Sequence, residues 1–230
     1  MRKVYGRGGF CLSRPILSLV APPVFLDVDN TLLDNDAAKA ALEVSIEAAV
    51  ETRVARRFWE LYEAVRRDED YVDFPTTVER LRDEAPADAD RVARILDLLP
   101  YEQFVYPGAL DMIERLWRSF TPAILSDGDS VFQPRKIERA GLSAAVRGNV
   151  FVYVHKERHL DEVTGRFPGR PVFVDDKRPI LGRIERQLPD AVTVHVRQGS
   201  YGVSPVDPGD PPPDLEIERI ADLDGALARM

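Results

Sequence analysis

Short apolar runs, each closing on polar residues, recur along the chain. Val24-Phe25-Leu26-Asp27-Val28 is the first, Ala123-Ile124-Leu125-Ser126-Asp127 has the same form, and residues 150–155, 171–176 and 191–196 repeat it. Their continuous apolar character suits strands buried on both faces of a parallel sheet, whereas alternation would mark a half-exposed strand. Between them apolar residues follow helical spacing: Leu110, Ile113, Leu116 and Trp117, then Leu181, Ile184 and Leu188. Strand and helix in alternation predict an α/β fold with a doubly wound sheet.

Residues 35–104 break the alternation. Val54, Phe58, Leu61 and Val65 make one helical face, and Val92, Ile95, Leu96 and Leu99 make another, with Asp88 as the expected N-cap of the second. A simple crossover needs only about a dozen residues, so this stretch reads as a helical insert, or cap. The predicted organisation is a core of residues 22–34 and 105–230, a helical cap of residues 35–104, and a flexible N-terminal arm of residues 1–21. The cap would hinge at its two crossings, Leu33 to Asn35 and Phe104 to Gly108. Pro205, Pro208 and Pro211 to Pro213 form a stiff connector to a last short strand, Leu215-Glu216-Ile217, and a short helix.

Composition narrows the class. The chain has 230 residues, 44% of them hydrophobic, enough to fill a sizeable core. Its net charge is −8, and because residues 1–26 carry four basic groups and no acidic one, residues 27–230 sum to −12 (−8 − 4). An acidic body lacks the basic face that nucleic-acid phosphates require. Cys11 is the single cysteine, which excludes an intramolecular disulfide and a cysteine-based zinc cluster. No apolar run is long enough to span a bilayer, and no small-residue cleavage site precedes Pro22-Pro23 convincingly. These features predict a soluble, cytoplasmic protein with neither a nucleic-acid nor a membrane partner.

Open α/β sheets place their chemistry at the carboxyl ends of the strands. Three predicted strands end there in polar residues: Asp27 to Asp29, Ser126 to Gly128, and Asp175-Asp176. Asp27 and Asp29, two apart on a strand, share a face. Carboxylates that close repel unless a cation lies between them or one is protonated. Mg²⁺ answers that need, since it prefers oxygen ligands and keeps waters that a substrate phosphate can replace. Asp175-Asp176 would add a ligand from a neighbouring strand, Ser126 offers a hydroxyl to a phosphoryl oxygen, and Gly128 lets backbone approach an anion.

In this order the motifs resemble those of the haloacid dehalogenase-like (HAD) hydrolase superfamily. Asp27-Val28-Asp29-Asn30-Thr31-Leu32 resembles its first motif, Ser126-Asp127-Gly128 its second, Lys156 its third and Asp175-Asp176 its fourth. Tyr106-Pro107-Gly108-Ala109 resembles the return from cap to core. The resemblance covers residues 24 to about 223 and implies a Rossmann-like core with a helical cap. It further implies a phosphatase acting on a small phosphorylated substrate, with Asp27 as the nucleophile that forms an aspartyl-phosphate and Asp29 as acid and then base. Ser126 and Lys156 would hold the phosphoryl group, with Thr31, Asp127 and Gly128 around the substrate. Mg²⁺ would lie on Asp27, Asp176 and the backbone carbonyl of Asp29, with Asp175 supporting it. The family's haloacid dehalogenases lack the second aspartate of the first motif, so Asp29 favours phosphoryl transfer. A phosphomutase or phosphotransferase of the same fold is one alternative, and a non-catalytic binding or regulatory protein another.

The sequence departs from the family pattern at Asn30, commonly glycine; at Asp127, commonly asparagine; at Glu157, frequently proline; and at Ile180, often acidic or amide. Lys136 competes with Lys156 but follows Phe132 and precedes Ile137 on a helical pattern, which reads as a surface position. His155, His159 and His195 lack metal-ligand spacing and read as structural. Arg53, Arg56 and Arg57 on the cap would greet an anionic substrate or form a solvated face, and Trp59, Tyr62 and Tyr71 would line the pocket or pack the cap.

Overall fold

The computed structural model describes residues 21–230 apart from 70, 206 and 208; the expected arm thus lies almost wholly outside the described residues, as does Pro208 of the connector. Six parallel strands form one sheet in the order β3-β2-β1-β4-β5-β6. They are β1 (Pro23–Leu26), β2 (Thr121–Asp127), β3 (Val150–Tyr153), β4 (Val172–Asp175), β5 (Val192–Val196) and β6 (Leu215–Ile217). The chain winds one way through β2 and β3, then the other way through β4, β5 and β6, so the topological switch point falls at β1. In register, Phe25 lies between Ala123 and Phe173, and Leu26 between Ile124 and Val174. The residues that follow Leu26, Leu125 and Val174 therefore emerge together at one edge, where ligands of open α/β sheets collect.

Both faces of the sheet are covered, which is why its strands read as apolar runs rather than as alternation. Val24, Leu26, Val172 and Val174 join one buried cluster with α5 (Ala109–Leu116) and the C-terminal helix α11 (Leu223–Leu227). Phe25, Ala123, Leu125 and Phe173 join the other, with α8 (Leu160–Thr164) and α9 (Arg178–Gln187). Phe25 stacks on Phe173 with ring centroids 5.0 Å apart and meets Phe167 edge-on at 5.6 Å.

Between β1 and β2 lie α1 (Asn35–Ala49), α2 (Thr52–Glu69), α3 (Phe74–Glu84) and α4 (Pro86–Leu98). Asp34 caps α1 by accepting from the Ala37 amide at 2.9 Å, and Asp73 caps α3 by accepting from the Thr76 amide at 2.8 Å. The α4 start differs from the expectation: Pro86 opens the helix, Ala85 is its N-cap, and Asp88 falls inside the first turn. There its carboxylate pairs with Arg91 at 2.8 Å instead of capping. Leu110 also departs, lying exposed while Ala109, Met112, Ile113 and Leu116 carry the buried face of α5.

The two crossings run side by side. Leu33 and Val105 form an antiparallel bridge, Asp34 N–H donates to the Phe104 carbonyl at 2.8 Å, and Tyr106 N–H donates to Leu32 at 2.9 Å. The insert is thus tethered by paired backbone. Its apolar interior, including Leu42, Ile46, Phe58 and Leu81, is continuous with the cluster on the first face of the sheet. Among the described residues, no helix is long and apolar enough to cross a membrane.

Candidate active site at the carboxyl ends of the strands

Asp27 leaves β1 with its amide bound to Val174 of β4 at 2.9 Å, which fixes the carboxylate between β2 and β4. The next turn is tight. Asn30 has φ 62°, a left-handed conformation that Asn accepts better than most side-chain-bearing residues. Its Oδ1 accepts from the Asn35 and Asp36 amides at 2.9 and 3.2 Å, so the replacement for the family's usual glycine also caps the entry to α1. Gly199 presses on this turn: a Cβ there would lie 2.3 Å from Asn30 Cβ, which only glycine avoids.

Lys156 reaches the centre of the crevice from the loop after β3. Its Nζ lies 2.5 Å from Asp27 Oδ1, 2.7 Å from Asp175 Oδ2 and 3.3 Å from the Leu125 carbonyl. Asp127 accounts for its placement, with Oδ1 accepting from the Lys156 amide at 2.8 Å. The carboxylate that stands where an asparagine is usual is therefore spent on the backbone of the site's lysine. Burial opposes the Lys156 charge, but Asp175, Asp27 and Asp127 outweigh it and raise the pKa well above the ordinary lysine value.

The carboxylates of Asp27, Asp175 and Asp176 come together, with one oxygen from each mutually within 4.8 Å, and all three residues are buried. Asp175 is satisfied by Lys156 and by the Lys177 amide at 2.8 Å. Asp176 is fully buried, and neither of its carboxylate oxygens has a hydrogen-bond partner among the described residues. Burial, then Asp175 and Asp27, push its pKa up to about 9. Burial also lifts Asp27 to about 7, with Lys156 opposing and Asp175 reinforcing the rise. An unpartnered buried carboxylate is costly, and here burial favours the protonated form of Asp176, a proton that a cation would replace. An all-oxygen, multiply charged donor set fits Mg²⁺ in kind. His195 steadies the loop, its Nε2 3.1 Å from the Asp176 carbonyl and its Nδ1 3.1 Å from Glu216, a structural role as expected.

Asp29 stands apart from this cluster, on the cavity side. The Lys136 ammonium pairs with its Oδ1 and also binds Asn35 Oδ1 at 2.8 Å. Lys136 is buried, so its surface assignment from sequence is wrong. It lies on α6 (Phe132–Arg139), whose inward face carries Gln133 and Lys136 beside Ile137. Gln133 Nε2 donates to Ser126 Oγ at 2.9 Å and to Asp29 Oδ2 at 3.3 Å, linking the ends of β1 and β2. Gln133 was not among the expected residues; its one sequence signal is the three-residue step to Lys136 on a helix that opens just after the second motif. Gly128 makes room for it, because a Cβ there would lie 2.7 Å from Gln133 Cβ. Thr31 is wholly buried and outside the cavity lining, and its hydroxyl has no partner among the described residues.

A cavity of about 530 Å³ opens over Asp29, bounded by the core on one side and by α1, α2 and the start of α3 on the other. Tyr62 and Tyr71 line it, but Trp59, Arg53, Arg56 and Arg57 do not. Arg57 instead pairs with Glu84 on the exposed outer face at 2.7 Å. Lys39 and Arg66 are the insert's cations at the cavity. Ile180 is part of the wall, an apolar patch where a further ligand is often found. The loop after β5 closes one side: Ser200 N–H donates to Asp36 Oδ2 at 2.8 Å, and Arg66 lies 3.4 Å from the Tyr201 hydroxyl.

No protein-family model and no curated protein matches the chain. Solved structures do. A haloacid dehalogenase-like hydrolase from Burkholderia xenovorans is 40% identical, with a TM-score of 0.83 over 91% of this chain and 98% of that one. The HAD-hydrolase YfnB from Bacillus subtilis, bound to magnesium, shares the fold at 20% identity and a TM-score of 0.61, over 90% and 99% of the two chains. So does the L-2-haloacid dehalogenase of Xanthobacter autotrophicus with chloropropionic acid covalently bound, at 18% and 0.60, over 92% and 99%. The chain belongs to the haloacid dehalogenase-like hydrolases, and its six-stranded sheet is the Rossmann-like core of that fold.

Proposed function

We propose that the protein is a Mg²⁺-dependent phosphatase that hydrolyses a small phosphate monoester through an aspartyl-phosphate, with residues 35–104 acting as its cap. The observation that carries the reading is the pairing of two unlike acidic sites. One is the buried Asp27–Asp175–Asp176 cluster with unsatisfied Asp176 oxygens; the other is Asp29, held separately at the cavity by Lys136 and Gln133. Mg²⁺, held by Asp27, Asp176 and the Asp29 carbonyl, would neutralise charge on the phosphoryl oxygens.

The chain's own groups divide the remaining work. An Asp27 carboxylate oxygen attacks phosphorus as the bond to the leaving oxygen breaks, and Asp29 gives that oxygen a proton. Water then attacks phosphorus, Asp29 takes its proton, and Asp27 and inorganic phosphate are released. Lys156, fixed by Asp127 and Asp175, and the Ser126 hydroxyl, fixed by Gln133, offer donors to the phosphoryl oxygens. A dehalogenase, the activity named for the Xanthobacter relative, has no use for the acid and base that Asp29 supplies.

The test is phosphate release from an aryl phosphate with magnesium and with a chelator. Turnover is expected only with the metal, and metal-independent turnover of the same ester overturns the part given to Asp176. Transfer of the phosphoryl group to an added alcohol instead of water would favour the phosphotransferase.

A further inference from the structure

The cavity's cations differ in what already neutralises them. Lys136 is paired with Asp29, Arg183 with Glu157 at 2.9 Å, and Arg66 with Glu63 at 3.7 Å. Lys177 lies in the field of Asp27 and Asp175. Lys39, like Lys177, forms no ion pair among the described residues and rests on aromatic rings, but it rests on two of them: its ammonium lies 5.0 Å from the Tyr62 ring centroid and 5.7 Å from that of Trp59, whereas Lys177 lies over Tyr201 alone at 5.1 Å and in the field of the buried acids. Trp59 and Tyr62 meet edge to face at 5.3 Å, and buried Tyr62 packs on Phe74 at 5.3 Å, so the platform under Lys39 is fixed. Aromatic faces hold a cation while leaving its outer side able to bind an anion.

Among the described residues no acid of the cavity forms an ion pair with Lys39, and Asp29 and Glu157 are taken by Lys136 and Arg183. Asp36 accepts from Ser200, Asp127 from the Lys156 amide, and Asp129 from the Val131 and Phe132 amides at 2.8 and 2.6 Å. Helix α1 also sets a distance. Asn35, tied through Lys136 to Asp29, is one helical turn before Lys39, about 6 Å along the axis. Asp29 and Lys39 line the same cavity, so one small substrate can reach both.

We infer that the substrate's leaving group carries a second anionic group, a carboxylate or another phosphate, a few atoms from the ester oxygen, and that Lys39 on its aromatic platform binds it. The inference rests on the phosphatase reading and adds the chemical class of substrate. Arg53, Arg56 and Arg57 have no part in it, because they stand outside the cavity lining.

Three esters built on the same three-carbon chain test it: n-propyl phosphate, phosphonooxypropanoate and propanediol bisphosphate, each assayed with magnesium on the wild type, Lys39→Met and Lys39→Arg. The wild type should favour at least one of the anionic esters over propyl phosphate by about tenfold or more in kcat/KM, roughly one close charge pair. Lys39→Met should bring that ratio close to one, and Lys39→Arg should keep most of it. The larger of the two anionic ratios says whether carboxylate or phosphate is preferred. A wild-type ratio near one overturns the inference, and so does a preference that survives in Lys39→Met. Turnover of none of the three esters by the wild type would overturn the phosphatase reading along with it, whereas turnover of propyl phosphate without preference leaves that reading standing.

Discussion

The strand ends and the helical insert handle charge in opposite ways. On the outer face of the insert, charged side chains satisfy one another: Arg57 with Glu84, Arg80 with Asp68, Arg82 with Asp90 and Arg91 with Asp88, all at the surface. At the strand ends, Asp27, Lys156, Asp175 and Asp176 are buried and crowded, and Asp176 has nothing to bind among the described residues. Surface pairs are nearly neutral in energy and free to vary. Buried charges that the protein leaves unpaired are expensive, and a fold keeps them where a ligand completes them. The same residue types thus mean solubility in one region and chemistry in the other, and burial separates the two.

The largest expected effect lies at the centre of the crevice. Asp27→Asn should lower turnover of an aryl phosphate by at least about a thousandfold, in the range seen when a nucleophile is removed. The fold should survive, since Lys156 keeps Asp175 as a partner. Wild-type turnover in a folded Asp27→Asn protein would end the covalent mechanism.

Next in size is a pH dependence that only the crevice can generate. In the metal-free fold, burial holds Asp27 at about 7 and Asp176 at about 9, against an ordinary value of 3.8. The folded state then binds more protons than the unfolded chain between those limits, so stability falls as pH rises from about 4 towards 9. Magnesium should raise Tm most at the alkaline end, where both carboxylates must otherwise ionise uncompensated. Thermal melts across this window with and without the metal check it, and an equal gain at both ends would place the metal elsewhere.

A third experiment strikes the contact between the regions. Phe74 of α3 packs against Phe132 of α6 with centroids 4.7 Å apart and is nearly buried. Phe74→Ala should cost about 3 kcal/mol, a typical value for an aromatic lost from a core. Because the apolar clusters of insert and sheet are continuous, a single unfolding transition at lower denaturant is expected, and two separate transitions would show that the regions fold independently.

The fourth concerns what the sequence concealed. The strands were legible because burial on both faces leaves apolar runs, and the motifs because strand-end acids fall at fixed positions after them. Asn30 was legible as a departure, and its left-handed backbone shows why it is tolerated. Lys136 was not legible, since periodicity says that a helix has two faces but not that a lysine can occupy the inner one beside Ile137. Asp88 misled for a related reason: Pro86 supplies its own start signal two residues earlier. Lys136→Met should reduce kcat by roughly tenfold with little change in KM, a fraction of what acid–base catalysis supplies. Lys136→Arg should recover part of it. A matching loss of stability with kcat unchanged would make Lys136 a structural residue only.

The smallest effect is expected on the outer face of the insert, and it completes the contrast. Arg57 binds Glu84 through two nitrogens at 2.7 to 3.2 Å and Glu60 at 3.3 Å, yet the whole constellation is solvent-exposed. Those carboxylates raise the guanidinium pKa, with Glu84 first, but the group is charged at any accessible pH, so the shift changes nothing that folding or catalysis senses. Exposed ion pairs lose most of their attraction to solvent screening and to the entropy of two long side chains. Arg57→Ala should therefore leave kcat/KM within about twofold for propyl phosphate and for its anionic analogues, a change typical of surface charge pairs. Lys39 lies on the inner face of the same insert, one cation on an aromatic platform, and its substitution should alter the ratio between those esters. A change of ester preference in Arg57→Ala comparable to that in Lys39→Met would mean that the insert selects substrate through its overall field rather than through one placed ammonium.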